Sequence, residues 1–245
     1  MLSDFIALFT NPGTASFVNF SFLPKYAPYF VQGLAYTLLL SVTSVLLAII
    51  PALILALMRL SKSRAIRWPA GAYIAIFRST PLMVQIAIIY FGIFFLIKIP
   101  NITILGIVTL SSFIPFTVAL ALNSAAYVAE IFRAGILAVD SGQTEAARSL
   151  GLPAWPSMRL VVLPQAIKNV LPALANELIT MVKESSLCSA YGTMELMWAA
   201  KMVAGTTYIS IGPYVLIAIL YFCINFPASK AIEAIERRMR RGDKR

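Results

Sequence analysis

The residues of this chain best suited to binding chemistry are carboxylates within stretches that are otherwise apolar. Glu177 is the one charged residue of NVLPALANELITMV, residues 169–182. Thr180 and Glu184 follow it at i+3 and i+7, so a helix places all three side chains on one face. A carboxylate in such surroundings suits an ammonium or guanidinium group, and we predict this face as a substrate-binding surface with Glu177 as its main contact. The alternative for Glu177 is an ion pair with Lys183 or with a partner subunit's base.

A second helical face and an interrupted helix supply further polar groups. Asn123, Tyr127 and Glu130 follow one another at i, i+4 and i+7. Gln85 comes shortly after the tripeptide STP, whose proline breaks the helix and frees carbonyl groups to line a cavity. We predict that Gln85, Asn123 and Tyr127 also contact the substrate, the alternative for the last two being interhelical hydrogen bonds. Glu130 precedes Arg133 by three residues, and we predict a structural ion pair between them.

The composition places these residues in a membrane protein. Hydrophobic residues make up 60% of the 245 residues and charged residues only 12%, too few to cover a water-soluble core of this size. The mean hydropathy is +0.83. A helix needs about 20 mostly apolar residues to span a bilayer. We predict five spans, at residues 26–58, 79–97, 99–129, 161–182 and 202–229. The protein is therefore expected to be an all-α, multi-pass membrane protein.

The positions of the basic residues predict the orientation of the chain. Half of its 20 basic residues lie in two segments, 59–67 and 236–245. Because lysine and arginine favour the cytoplasmic side, we expect both segments inside a bacterial inner membrane, with the amino terminus outside. Segment 139–166 then also lies inside. The net charge of +10 follows from this topology, so we expect membrane lipids and no nucleic acid among the partners.

The rest of the chain is predicted to form one membrane domain, residues 28–240. Residues 1–27 lack the positive start of a cleaved signal peptide and are rich in phenylalanine, which favours an interfacial segment on the outer face. Residues 241–245 form a basic tail. The two cysteines have no metal or redox spacing.

The sequence lacks the groups that most membrane enzymes and ATPases need. It contains no histidine, which removes the usual zinc sites and the common Ser-His-Asp arrangement. It contains no Gly-Lys pair, so it has no phosphate-binding loop of the G-x-x-x-x-G-K-[ST] type. We expect no catalytic residue, no metal and no cofactor on this chain, and energy must come from a partner or an ion gradient.

One polar segment inside this apolar chain has a long spaced pattern, E-A-A-x3-G-x9-V-x-L-P. Its residues are Glu145, Ala146, Ala147, Gly151, Val161, Leu163 and Pro164. The pattern resembles the cytoplasmic loop signature of permease subunits of ABC importers, with valine in place of the usual isoleucine. The resemblance implies a type I importer fold in which a short coupling helix docks on an ATPase subunit.

The local chemistry of this segment also fits docking. We call residues 142–156 the strut. Thr144 is expected to cap its helix, and Ala146 and Ala147 leave room for another protein's surface. Gly151 permits the turn that ends the helix, and Pro164 opens the next one.

Further blocks resemble the polar amino-acid branch of these permeases. They are FRSTPLMVQ from Phe77, AAYVAEIFRAGI from Ala125, GQTEAA from Gly142, LPQA from Leu163 and KESSL from Lys183. The branch commonly has glycine where Ser79 stands and Asp-Thr where Glu184 and Ser185 stand. The resemblance implies two ATPase subunits carrying ATP and Mg²⁺, a second permease copy or homologue, and an extracytoplasmic amino-acid-binding protein.

These observations leave several interpretations open. With Glu177 in the path, a basic amino acid such as arginine, lysine, ornithine or histidine is favoured, because two buried carboxylates repel. Glutamine and other neutral or acidic amino acids are the alternative substrates. An ion-coupled secondary transporter or channel is the rival from another class, but the sequence has no internal repeat of the kind such folds carry. The sequence does not decide between a homodimer and a heterodimer of permeases, nor does it identify the binding protein.

Overall fold

The computed structural model describes residues 18–97, 99–104, 106 and 108–241, which form a helical bundle with one small hairpin. Its α-helices are α1, Leu23–Leu60; α2, Arg64–Ser79; α3, Leu82–Leu96; α4, Leu110–Leu137; α5, Ser141–Ser149; α6, Ala154–Ser157; α7, Leu163–Glu184; α8, Leu196–Thr207; and α9, Gly212–Arg241. The strands β1, Thr103–Ile104, and β2, Val108–Thr109, are antiparallel. The middle of α3, Ile88–Ile93, is π-helical. A second π-helical segment, Met158–Val162, precedes α7, and the 3₁₀-helix Ser185–Tyr191 follows it.

Three helices in the described part of the chain are long and apolar enough to cross a bilayer: α1, α4 and most of α9. Helices α2 and α3 form a fourth span if counted together, although they meet at a bend of 108°. Helix α7 has 22 residues, about 33 Å at 1.5 Å per residue. Its length suits a span, but Lys168, Glu177, Lys183 and Glu184 make it more polar than the others. The predicted fold, a helical membrane bundle, is confirmed, with one short β-hairpin that was not predicted.

The predicted span 99–129 begins too early. Strands β1, Thr103–Ile104, and β2, Val108–Thr109, pair as an antiparallel hairpin, and α4 begins only at Leu110. Pro100 and Asn101 disfavour a helix, and Gly106 adopts a φ of +68° in the turn between the strands. The predicted span was too long because it was based on the absence of charge and included the turn residues after the preceding helix.

The predicted span 202–229 is wrong as a single helix. Helix α8 ends at Thr207, and Tyr208 follows with a φ of 59° in the left-handed region. Helix α9 starts at Gly212, and Pro213 is its second residue. Proline is common in the first turn of a helix. The segment carries no charge throughout, but its helix is interrupted.

Small residues allow α1 and α4 to pack closely. Ala48 and Ala52 of α1 lie in one buried cluster with Ala125, Ala126 and Ala129 of α4. Their small side chains let the two backbones approach, which is how helices associate in lipid. Leu40, Phe116, Leu120 and Met181 form a second buried cluster that adds α7 to this pair.

Helix α8 begins beside α1, a little over a third of the way along that helix. The amide N–H of Leu196 donates a 3.1 Å hydrogen bond to Thr37 Oγ1, about 21 Å along α1 from its first residue. Glu195 is completely buried and accepts hydrogen bonds from the backbone N–H groups of Met197 and Trp198, so it caps α8. Gly33 makes the approach possible because a Cβ there would lie 3.1 Å from the Glu195 backbone.

Most of the predicted interfacial segment lies outside the described residues. Residues 1–17 are not described, and from Leu23 onward the segment already belongs to α1. The predicted basic tail also lies outside the described part, apart from Arg241 at the end of α9.

Candidate functional site

A cavity of about 410 Å³ lies between α4 and α7, beside the end of α2, and we call it the polar cavity after the polar residues in its largely apolar lining. Its polar lining residues are Arg78, Tyr127, Glu130, Asn169 and Glu177. The cavity thus contains two of the predicted substrate residues, Glu177 and Tyr127. It also contains both signs of charge, which distinguishes it from an ordinary apolar groove between helices.

Glu177 is held at this cavity by α4. Ser124 Oγ donates a 2.8 Å hydrogen bond to Glu177 Oε1. No basic side chain of the described residues forms an ion pair with Glu177. Lys183, the predicted alternative partner, lines a different cavity between α7 and α9. The acid is therefore positioned by a neutral donor, which leaves its charge available to a ligand.

Arg78 supplies the positive charge of the cavity. Its guanidinium lies over the ring of Tyr127, with 5.4 Å between its Cζ and the ring centroid. This stacking orients the guanidinium and keeps it close to the cavity, and among the described residues Arg78 forms no ion pair within 4 Å.

Glu130 belongs to a structural ion pair, as the sequence predicts. Arg133 Nε and Nη2 donate to Glu130 Oε2 at 2.9 and 2.7 Å. Arg59 Nε lies 3.9 Å from the other carboxylate oxygen. Arg59 lies in the last turn of α1, so this contact places the C-terminal end of α1 beside the C-terminal part of α4.

Gln85 and Asn123 form a buried hydrogen-bond network at the bend between α2 and α3. Gln85 Nε2 donates to the carbonyl groups of Phe77 and Thr80 and to Thr80 Oγ1, at 2.8 to 3.0 Å. Asn123 Nδ2 donates to Gln85 Oε1 at 2.8 Å. The carbonyl groups freed by the proline are thus bound within the chain. The structure shows the hydrogen bonds of Gln85 and Asn123 within the chain. Their contact with a substrate stays a prediction.

Thr180 and Glu184 lie further along α7. Both side chains are partly buried, and neither lines the polar cavity. Their substrate contact also stays a prediction.

Helix α5 of the strut has a defined cap at each end. Asp140 accepts a 2.7 Å hydrogen bond from the Gly142 N–H, so Asp140 and not Thr144 caps α5. The prediction that Thr144 caps the helix was wrong, because α5 begins at Ser141 and Thr144 lies inside it. At the other end Gly151 adopts a φ of +86°, and the N–H groups of Gly151 and Leu152 donate to Arg148 and Ala147. This Schellman motif fixes the direction in which the chain leaves α5.

The two alanines of the signature face different ways. Ala146 and Glu145 are exposed, but Ala147 is buried at 5% exposure. Only the first alanine therefore leaves room for another protein, and the second packs within the chain. Two large apolar side chains next to them are strongly exposed, Leu150 at 86% and Trp155 at 70%. They are the strut's apolar surface, which the sequence pattern did not reveal.

The last part of the strut continues into α7 as one helical segment. Gln165 Nε2 donates to Gln143 Oε1 at 3.3 Å, which ties α7 to α5. Ser157 is fully buried and donates to the carbonyl groups of Leu152 and Pro153. From Ala154 the chain is helical without interruption to Glu184, and Leu163 and Pro164 form the first turn of α7.

The sequence interpretation missed Arg78 and Asn169, which line the polar cavity, and Ser124, which donates a hydrogen bond to Glu177. Arg78 stands within the quoted block FRSTPLMVQ but was not assigned a role, since its approach to α4 depends on how α2 packs. Ser124 is one residue from the predicted Asn123, and only the packing of α4 on α7 shows its bond to Glu177.

The chain is similar to known transport proteins over nearly its whole length. Residues 44–241 match the family described as binding-protein-dependent transport system inner membrane component. The chain is 40% identical over 223 residues to the putative glutamine transport system permease protein GlnP of Rickettsia bellii, covering 90% of this chain and 98% of the relative. It is 38% identical over 226 residues to the arginine transport system permease protein ArtQ of Bacillus subtilis, covering 92% and 99%.

Solved structures have the same fold. A crystal structure of an amino acid ABC transporter with histidines matches at 44% identity and a TM-score of 0.81, covering 90% of this chain and 99% of that chain. The MetNI methionine ABC transporter in an inward facing conformation matches at 22% identity and a TM-score of 0.63, which supports the fold alone.

Proposed function

The chain belongs to the family of binding-protein-dependent transport system inner membrane components, and we propose that it is the permease subunit of an ATP-driven importer of polar amino acids. The observation that carries this proposal is the match with relatives named as glutamine and arginine permeases, which covers nearly the full length of both chains. A permease provides the membrane path, and separate ATPase subunits hydrolyse ATP.

The polar cavity supports an amino acid as the substrate. A free amino acid carries an α-carboxylate and an α-ammonium group, and Arg78 and Glu177 line the same cavity with opposite charges. In this proposal Arg78 binds the carboxylate and Glu177 binds a cationic group. Basic amino acids and glutamine both fit this pair, and a basic side chain gains most from Glu177.

The strut supports docking of an ATPase subunit. Its exposed Glu145 and Ala146 lie next to the apolar Leu150 and Trp155. A partner that covers Leu150 and Trp155 removes apolar area from water, which favours association. Because α6 and α7 form one continuous helical segment, movement of the strut is carried along α7 to Glu177.

The assembly follows from the same proposal. The bundle is too small to enclose a path alone, so a second permease copy or a homologue completes it across a twofold axis. Two ATPase subunits dock on the struts at the cytoplasmic face, and a binding protein delivers the substrate outside. The contact between Arg59 and Glu130 supports this orientation, because it places the basic segment after α1 on the same side as the strut.

The experiment is uptake by the assembled transporter in proteoliposomes. Labelled glutamine, arginine and histidine are supplied with the binding protein, with ATP inside or outside the vesicles. Uptake that needs ATP on the ATPase side is the expected result. Uptake by the permease alone, driven by an ion gradient, would overturn the proposal in favour of a secondary transporter.

A further inference from the structure

A second cavity, of about 490 Å³, lies where α1 ends and α2 begins. Its polar and aromatic lining residues are Arg59, Arg64, Arg67 and Trp68, and Gly71, Ala72 and Ala75 complete the wall. Residues 64, 67, 68, 71 and 75 follow the spacing of one helical face, so α2 presents its arginines along a single stripe. None of the described residues that line this cavity is acidic.

The guanidinium groups at this cavity are available to an anion. Within the described part of the chain, the side chains of Arg64 and Arg67 are exposed and form no ion pair. Arg59 lies against the backbone of α2 at Gly71, where a Cβ would come within 2.9 Å of its Nη1. Its one acidic neighbour, Glu130, is 3.9 Å away and already bonded to Arg133.

The start of α2 adds to this positive potential. Ser63 makes no side-chain capping bond, and the first turn of α2 contains no acidic residue. The first N–H groups of the helix therefore lack capping partners, and a helix start of this kind favours an anion.

The surroundings of the cavity indicate a membrane interface. Trp68 is 75% exposed, and tryptophan is enriched where a bilayer meets water. Leu53 and Leu57 in the last turns of α1 and Ile66 and Ile76 on α2 are exposed as well. The cavity thus lies beside apolar surface that suits acyl chains.

We propose that this cavity binds the phosphate group of an anionic phospholipid such as phosphatidylglycerol. The three arginines and the first turn of α2 hold the phosphate, Trp68 lies at the headgroup level, and the acyl chains lie on the exposed apolar side chains nearby. The proposed docking site for the ATPase is instead the strut, with its exposed Leu150 and Trp155.

The test is native mass spectrometry of the assembled transporter, taken from membranes into nanodiscs of phosphatidylcholine with phosphatidylglycerol. The double variant Arg64→Gln with Arg67→Gln is compared with Arg237→Gln and Arg238→Gln, a matched loss of two exposed arginines from α9. Basic side chains near an anionic surface each contribute about 1 kcal/mol, so the first variant retains phosphatidylglycerol roughly thirtyfold more weakly. The α9 variant retains it as the wild type does.

A second measurement, of Trp68 fluorescence, leaves all the arginines unaltered. Brominated phosphatidylglycerol is expected to quench the fluorescence of Trp68 more than brominated phosphatidylcholine, read as the difference between the wild type and Trp68→Phe. Equal quenching by the two lipids would overturn the proposal.

Three outcomes of the mass spectra would also overturn it. The first is equal lipid retention by all variants. The second is displacement of the lipid by inorganic phosphate, which would make the cavity a site for free phosphate. The third is loss of the ATPase subunits from the Arg64 and Arg67 variant with its lipid retained, which would assign the arginines to protein docking. None of these outcomes bears on substrate uptake, so the proposed transport function is tested separately.

Discussion

Ser124 on α4 donates a 2.8 Å hydrogen bond to Glu177 on α7, and this bond joins the two helices that border the polar cavity. Helix α7 continues from the strut, whereas α4 packs along α1. In the proposed mechanism, a displacement of the strut moves α7 relative to α4 and changes this contact. The pair thus connects the proposed substrate site to the proposed ATPase site.

Glu177→Gln keeps the size of the side chain and its bond to Ser124 but removes the charge. A hydrogen bond to a charged group is worth about 1.5–3 kcal/mol, so KM for arginine uptake is expected to rise roughly ten- to a hundredfold. Uptake of labelled arginine, histidine and glutamine by proteoliposomes measures the change. Glu233→Gln, at an exposed carboxylate paired with Lys230 on α9, is the matched control and leaves uptake unchanged. Unaltered KM and selectivity in Glu177→Gln would remove this residue from the site.

Arg78→Gln tests the other end of the substrate. Every amino acid has an α-carboxylate, so KM is expected to rise by a similar factor, about tenfold, for arginine and glutamine alike. The same uptake assay with Arg237→Gln as the control measures it. A change confined to one amino acid would contradict the assigned role of Arg78.

Ala146→Gln and Ala147→Gln separate docking from folding on the strut. Ala146 is exposed, so its variant is expected to keep its melting temperature and to lose ATPase subunits and transport. Ala147 is buried, so overpacking in its variant costs about 1–3 kcal/mol and lowers the melting temperature. Copurification of ATPase and thermal unfolding in detergent give the two readings. Full retention of ATPase by a transport-competent Ala146→Gln would contradict docking at this residue.

Gln85→Ala removes the hydrogen bonds that hold the bend between α2 and α3. Leaving buried carbonyl groups and Asn123 without this partner is expected to cost about 1–3 kcal/mol. Thermal unfolding measures the loss, and Asn101→Ala, at an exposed amide in the loop before β1, is the control with little effect. Equal stability of the two variants would show that the network does not stabilise the bend.

Gly33→Ala tests the approach of α8 to α1. The added methyl group would lie 3.1 Å from the backbone of Glu195 and from Leu196 Cα, so a loss of about 1–3 kcal/mol is expected. Gly92→Ala is the control, because a Cβ there meets nothing within 4 Å. If both variants unfold at the wild-type temperature, the close approach of α1 and α8 is not required for stability.

The sequence predicted what depends on local spacing and missed what depends on packing. The helix that carries Glu177 and Thr180, the pair of Glu130 with Arg133 and the turn at Gly151 follow from helix geometry and glycine chemistry. The break at Tyr208 was missed because the segment carries no charge there.

Contacts between distant residues could not be read from the sequence. Gln85 and Asn123 are 38 residues apart and Ser124 and Glu177 are 53 apart, so their pairing depends on how whole helices pack. Spacing also identified Ala146 and Ala147 as a pair, but only the packing of α5 shows that Ala147 faces the chain.

The central claim is that separate ATPase subunits drive this bundle through the strut. Cross-linking measures this contact most directly, using Ala146→Cys in a Cys223→Ser background, where the remaining Cys188 is buried. The account predicts a cross-link between residue 146 and an ATPase subunit in the assembled transporter, with a yield that changes when ATP binds. An assembled, ATP-driven transporter that gives no cross-link at residue 146, while a cysteine at an exposed site remote from the strut does, would contradict it.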